Sequence, residues 1–171
     1  MIGFGQINGC TDSTALNYNP LATVDDSSCC NGSFGSIWNQ IGADINGEAA
    51  GDLSGVSSSL SANGNIIAIG ASSNDGNGYI SGHVRIYENI GGSWIQIGQD
   101  IDGEGAHDQS GISVSLSSDG RIVAIGAPFN DNSNGIQAGH VRVYENIGGT
   151  WTQIGQDIDG EAVGDGSGRS V

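Results

Sequence analysis

Trp94 to Gly149 reads WIQIGQDIDGEGAHDQSGISVSLSSDGRIVAIGAPFNDNSNGIQAGHVRVYENIGG, and its reading decides the fold. An earlier copy runs from Trp38 to Gly92, and a third opens at Trp151 and continues to Val171. The anchoring tryptophans are spaced 94 − 38 = 56 and 151 − 94 = 57 residues apart. The extra residue of the second interval lies between Gly126 and His140, since Gly70 to Gly126 spans 56 and His83 to His140 spans 57. A fixed period of this length marks a repeat architecture, in which each unit covers the apolar face of its neighbour.

Each repeat holds four short apolar stretches separated by turn residues. In the middle copy they are Trp94–Asp100, Gly111–Ser117, Arg121–Ala127 and Gly139–Asn146. Ile112, Val114 and Leu116 alternate with Ser113 and Ser115, and Val141 and Val143 alternate with His140, Arg142 and Tyr144. Period-two alternation with β-branched residues specifies strands. Ser118-Asp119-Gly120 is a tight hairpin turn. Arg121–Ala127 is nearly all apolar, so it should be covered on both faces. No stretch carries a capped helical period. The expected fold is all-β: four-stranded antiparallel blades of a β-propeller, two full repeats with partial ones beside them.

The domain division follows. Residues 1–35 form a cysteine-bounded segment and linker, and 36–171 form the repeats, at about 36–92, 93–149 and a partial 150–171. The chain stops within an expected strand, Ser167–Val171. A few blades leave open edges. We therefore expect a longer parent chain, or a ring closed by several copies.

The chain has 171 residues, 31 of them glycine, and carries 19 Asp and Glu against four Arg and no Lys. A net charge of −15 argues against nucleic acid and anionic membranes as partners, because both need cationic side chains. No apolar run approaches the roughly 18 residues of a spanning helix. The opening MIGFGQINGC lacks the basic and apolar regions of a signal peptide. This suits a virion component assembled inside a host cell.

All three cysteines fall in the first segment. A Cys10–Cys29 bridge would close 29 − 10 + 1 = 20 residues, worth about 3 kcal/mol in the chain-entropy account. Cys30 is then unassigned: it stays a thiol, bonds another chain, or replaces Cys29. Asp12, Asn17, Asn19, Asp25 and Asp26 offer hard oxygen ligands to calcium within this loop, without EF-hand spacing. The plainer role is Asx-turns, in which these side chains accept nearby backbone N–H groups.

The stretch GCTDSTALNYNPLATVDDSSC, Gly9 to Cys29, resembles a short module of extracellular proteins of marine bacteria and of marine phages and algal viruses. Gly9, Cys10, Thr11, Asp12, Ala15, Asn17, Tyr18, Ala22, Asp25, Asp26, Ser28 and Cys29 carry the resemblance. Ser27 stands where that module has Gly. The repeat, in Ser110–Pro128 and in GHVRVYEN, resembles the FG-GAP propeller family. Gly126-Ala127-Pro128 matches its Gly-Ala-Pro; the first copy has Gly70-Ala71-Ser72, and Ser110-Gly111 replaces Phe-Gly. The resemblance implies a propeller used for binding and adhesion, usually without catalysis. That family's calcium hairpin is shortened here to Ser118-Asp119-Gly120, too short to wrap an ion.

The loops Asn74–Gly78 and Asn130–Gly135 are richer in oxygen, and Asn74, Asp75, Asn130 and Asp131 are the candidate contact residues there, with Ca²⁺ the cofactor to consider. His83 and His140, each followed at two residues by Arg85 or Arg142, recur and so read as packing residues. Glu48, Glu104 and Glu161 recur with Asp52, Asp108 and Asp165. An acid/base pair for glycoside hydrolysis would use such carboxylates, but copies in every repeat suit bonding of loop N–H groups between blades. Trp38, Trp94 and Trp151 read as core before sugar contacts. The expected function is a non-enzymatic structural or adhesion module on a virion surface, with a bacterial cell-surface adhesin as alternative and a glycan-acting enzyme as the distant third. Its partners would be proteins of a surface assembly or a host glycan or protein. Function should lie where the copies differ: residues 74–80, 130–137, His107 and the cysteine segment.

Overall fold

The computed structural model describes residues 6–15, 17–29 and 39–171. The expectations for Cys30 and Trp38 fall outside them. The chain divides into two compact units, Met1–Gln40 and Ile41–Val171.

In the first unit β1 (Asn8–Gly9) pairs in parallel with β2 (Val24–Asp25). Cys10 is bonded to Cys29 and is fully buried, with Ala15 also covered. Thr23 supports the pair twice. Its N–H donates to Ile7 O at 2.8 Å, and its Oγ1 accepts the Ile7 N–H at 3.0 Å. Ser27 adopts φ 62°. A left-handed conformation is the one glycine takes most easily, and here a serine adopts it.

The second unit is all-β, and its sheets are antiparallel. The first sheet contains β3 (Ser54–Leu60), β4 (Ile66–Ala71), β5 (His83–Ile90), β6 (Ser93–Gln96) and β7 (Ile101–Asp102). Its order is β3-β4-β5-β6, with β7 also pairing β5. The second sheet repeats this with β8 (Ser113–Leu116), β9 (Ile122–Ala127), β10 (His140–Ile147), β11 (Thr150–Gln153) and β12 (Ile158–Asp159). Four strands per sheet were expected and five are found. The expected Trp94–Asp100 strand stops at Gln96, and an unexpected short strand follows it: β6 lies along the far half of β5, opposite Tyr87–Ile90, and β7 along its start, opposite His83 and Val84. Gly98, at φ 73°, breaks the run between them.

The break has a packing cause. A Cβ on Gly98 would stand 2.7 Å from Gly149 O and 3.1 Å from Trp151 Cδ1. Trp151, on the second sheet, donates its indole N–H to Ile97 O of the first at 2.9 Å. Trp94 does the same to Ile41 O at 2.9 Å. Trp151 is buried, as expected of a core aromatic. Trp94 and Trp151 therefore each join the outer edge of their own sheet to the preceding repeat.

The core is one cluster of Ala68, Val84, Ile86 and Ile101 from the first sheet with Val114, Val123, Ile125, Tyr144 and Trp151 from the second. The expected fully covered strand is covered through Val123 and Ile125, while Ile122 at its start is exposed. Between the sheets, Ser57 Oγ donates to Gly111 O at 2.7 Å and Ser59 Oγ accepts the Leu116 N–H at 2.9 Å. A Cβ on Gly70 would overlap the Gly111 carbonyl oxygen, so the sheets approach to backbone contact there. The same contact recurs one repeat on: Ser113 Oγ donates to Gly168 O at 2.8 Å, beside Gly126. The expected strand at Ser167–Val171 is not formed. That segment makes only a parallel bridge, Gly139 to Ser167, where β8 has β9 as its antiparallel partner.

Candidate functional site

The cysteine loop spends its carboxylates locally. Asp12 Oδ1 accepts the Thr14 N–H at 2.9 Å and its hydroxyl at 2.7 Å. Asp25 Oδ1 accepts the Ser27 N–H at 3.1 Å, and Asp26 Oδ1 the Ser28 N–H at 3.0 Å. Asn17 Nδ2 donates to Ser28 O at 2.7 Å, and Asn19 Oδ1 accepts the Leu21 N–H at 3.0 Å. These are Asx-turns and a loop staple. The hydroxyl bond from Thr14 holds the Asp12 carboxyl below its ordinary range, and Ser28 does so for Asp26. Clusters with metal-ligand spacing, among the described histidines, cysteines and carboxylates, lie in the repeats instead.

Residues 103–110 connect the two sheets and are hydrogen-bonded on both sides. Toward the first sheet, Gly103 N–H donates to Gly82 O at 2.8 Å, His107 N–H to Tyr79 O at 2.8 Å and Ser110 N–H to Ser81 O at 2.9 Å. Toward the second, Asp108 Oδ2 accepts Asn130 Nδ2 at 2.9 Å while also accepting the Gly105 N–H at 2.8 Å. Asp52 does the same with Asn74 and Ala49, at 3.0 and 3.1 Å. Asp165 accepts the Ala162 N–H at 2.8 Å. The recurrent aspartates thus bond loop N–H groups, and Asp52 and Asp108 also tie two loops together within their own repeat, not between repeats as expected.

Asn74 and Asn130 are buried structural residues. Asp75 and Asp131 stand at the surface and hold strained neighbours. Asp75 Oδ1 accepts the Ile80 N–H at 2.7 Å, and Asp131 Oδ1 the Gln137 N–H at 2.8 Å. Ile80 has φ 56° and Gln137 φ 54°. Positive φ at a β-branched residue persists only where its surroundings impose it.

The Asp131 loop and the connector shape a groove of about 540 Å³ whose wall includes Glu104, His107, Phe129, Asp131, Ile136 and Gln137. The first repeat has a smaller counterpart of about 260 Å³ at Gly51, Ser73, Asp75, Tyr79 and Ile80. The two grooves occupy equivalent positions, with Gly51 matched by His107 and Ser73 by Phe129. His107 reaches back to Tyr79, ring centroids 5.3 Å apart and edge to face. Arg169 lies 5.5 Å over the Phe129 ring. The segments in which the copies differ are therefore neighbours in space.

The second recurrent constellation surrounds each histidine. His140 Nδ1 stands 3.9 Å from Glu104 Oε2 and 3.7 Å from Asp157 Oδ2. His83 Nδ1 stands 3.9 Å from Glu48 Oε2 and 3.8 Å from Asp100 Oδ2. Arg142 Nη1 lies 3.5 Å from Glu104 Oε1, and its Nη2 donates to Asp102 O at 2.7 Å. Arg85 repeats this with Glu48 Oε1 at 3.7 Å and Asn46 O at 2.9 Å. Each guanidinium also lies over a tyrosine ring, Tyr87 or Tyr144. Burial, then the Arg142 charge, pushes the His140 imidazolium below its ordinary range against the pull of Asp157 and Glu104. Burial raises the Asp102 carboxyl and the Tyr144 phenol. Sequence reading found the histidines and glutamates as recurrent residues. It missed Asp100 and Asp157, whose spacing of 57 was the available signal.

Neither known protein families nor curated proteins give a match to this chain.

Proposed function

We propose that the chain is an FG-GAP-like, propeller-type repeat module that works without catalysis, as a structural and adhesion element on a surface. A virion fibre, appendage or decoration is the leading setting, and a bacterial cell surface the alternative. One observation carries the reading. The segments that differ between repeats lie side by side: His107 and part of 130–137 line one groove, and Tyr79 of the 74–80 loop, which borders the smaller groove, packs on His107, while the shared residues bond strands and sheets. Such a division suits a stiff frame presenting a variable contact rim. His107, Phe129 and Ile136 supply apolar and ring surface there, and Glu104, Asp131 and Gln137 supply hydrogen-bonding groups. Together they fit a surface glycan or protein loop. Closure into a ring would use further repeats or further copies, because the sheet-stacking contacts repeat at Gly168.

Binding of the purified chain to arrays of surface glycans and to whole host or bacterial cells tests this. The expected result is retention that a His107→Ala/Phe129→Ala double variant loses while its thermal transition persists. Retention unaffected by that variant would refute the groove assignment. Turnover of a polysaccharide, abolished in Glu104→Gln, would replace adhesion by enzymatic action. Peptides of the chain in purified particles, as against cell-surface fractions, separate the two settings.

A further inference from the structure

His140 presents an unsolved pairing problem. It is 1% exposed, and neither Nδ1 nor Nε2 has a hydrogen-bond partner. A buried polar atom left unpaired costs about 1–3 kcal/mol. Yet two carboxylate oxygens face Nδ1, Asp157 Oδ2 at 3.7 Å and Glu104 Oε2 at 3.9 Å. Those separations are too long for hydrogen bonds. They match two ligand atoms sharing one ion, since bonds of about 2.0–2.2 Å on each side span up to about 4.2 Å.

We propose that His140 Nδ1, Asp157 Oδ2 and Glu104 Oε2 form a binding site for a first-row divalent transition-metal ion. The three ligand atoms lie within 4.8 Å of one another. The surrounding side chains leave these atoms available. Arg142 takes the other Glu104 oxygen, Oε1, and Gln153 Nε2 donates to the other Asp157 oxygen, Oδ1, at 2.6 Å. Both carboxylates are thus oriented by outer partners in the manner of metal ligands. The Glu104 side chain is 47% exposed and that of Asp157 28%, so an ion enters from that side and water completes its shell.

The donor set chooses the ion class. One imidazole nitrogen with two carboxylates suits zinc, manganese or cobalt. Calcium and magnesium prefer oxygen alone. The same atoms recur at His83, Asp100 and Glu48, and Gln96 Nε2 donates to Asp100 Oδ1 at 2.6 Å. The site lies where Glu104, from the connector, meets β10 and the segment before β12. A bound ion would therefore clamp three elements of adjoining repeats.

The test is a Co²⁺ titration of the whole chain after chelator treatment, followed by visible absorption and by metal analysis after dialysis. The expected result is saturable uptake, with one equivalent per chain lost in His140→Gln and excess Ca²⁺ unable to displace the metal. Asp157→Asn, at a partly exposed side chain, supplies the same readout where His140→Gln disturbs folding. Absence of saturable uptake, uptake unchanged in both variants, or full displacement by Ca²⁺ overturns the proposal.

Discussion

Gly70→Ala tests how the sheets meet. Gly70 lies on β4, and a Cβ there would overlap the carbonyl oxygen of Gly111. Both are backbone positions, so no side chain can rotate away. The second sheet must retreat, and the retreat stretches the Ser57 Oγ to Gly111 O bond of 2.7 Å and disturbs the Gly111 N–H to Gly126 O bond of 3.0 Å. Overpacking of this kind costs about 1–3 kcal/mol, and each lost hydrogen bond about 0.5–1.5 kcal/mol. With both bonds lost the sum is about 2–6 kcal/mol, centred on about 4 kcal/mol. At about 2–4 °C per kcal/mol for a chain of this size, the thermal midpoint should fall by roughly 10 °C. Gly64→Ala is the control: its φ is positive, at 71°, but nothing lies within 4 Å of the added carbon, so it carries only the left-handed cost of about 1–2 kcal/mol. Circular dichroism melts of the three proteins decide the matter. Equal midpoints for the two variants would refute close sheet contact at Gly70.

Three further outcomes follow from single contacts. Trp151→Phe removes the indole donor to Ile97 O and leaves that carbonyl without it; a loss of about 1–3 kcal/mol in chemical denaturation is expected. Ser27→Gly relieves a left-handed serine and should stabilise the cysteine module by about 1 kcal/mol, read as slower proteolysis of that segment. Asp119 is held below its ordinary range, first by the Ser117 hydroxyl and then by the Arg121 N–H. Its folded value is depressed, so its stabilising contribution is present above the unfolded value and lost as pH falls through the folded one. The gap in melting midpoint between the parent and Asp119→Asn should therefore close between about pH 6 and about pH 2, and a gap independent of pH would show that the carboxylate bonds contribute nothing.

Much of the candidate site was legible as recurrence. Of the groove residues, His107, Ile136 and Gln137 stood out because they lie where the copies differ, Phe129 did not stand out, and the histidines, glutamates and aspartates stood out because they return with the period. Their chemistry was not legible. His140 and Glu104 are 140 − 104 = 36 residues apart and Asp157 a further 157 − 140 = 17, so only strand pairing and the connector bring them together. Asn130 looked like a loop contact, yet its amide is buried on Asp108. Burial depends on which carboxylate folds back over the loop, and no local pattern records that.

Alternation in SVSL and HVRV, the turn at Ser118–Gly120 and the period itself determined an all-β repeat chain. These signals are local: side-chain direction follows from the pleat and turn type from a few residues. Counting offered a bridge from Cys10 to Cys29 or Cys30, and the structure has the one to Cys29. Tertiary structure alone decided that the tryptophan strand stops at Gln96 and that a second short strand follows at Ile101–Asp102, because the break answers to Trp151 of the next repeat and to Gly149 beside it. It also decided which atoms face His140 and which segments line one groove. Those are long-range packing outcomes, set by how two sheets fit at Gly70 and Gly111, and they have no period of their own to read.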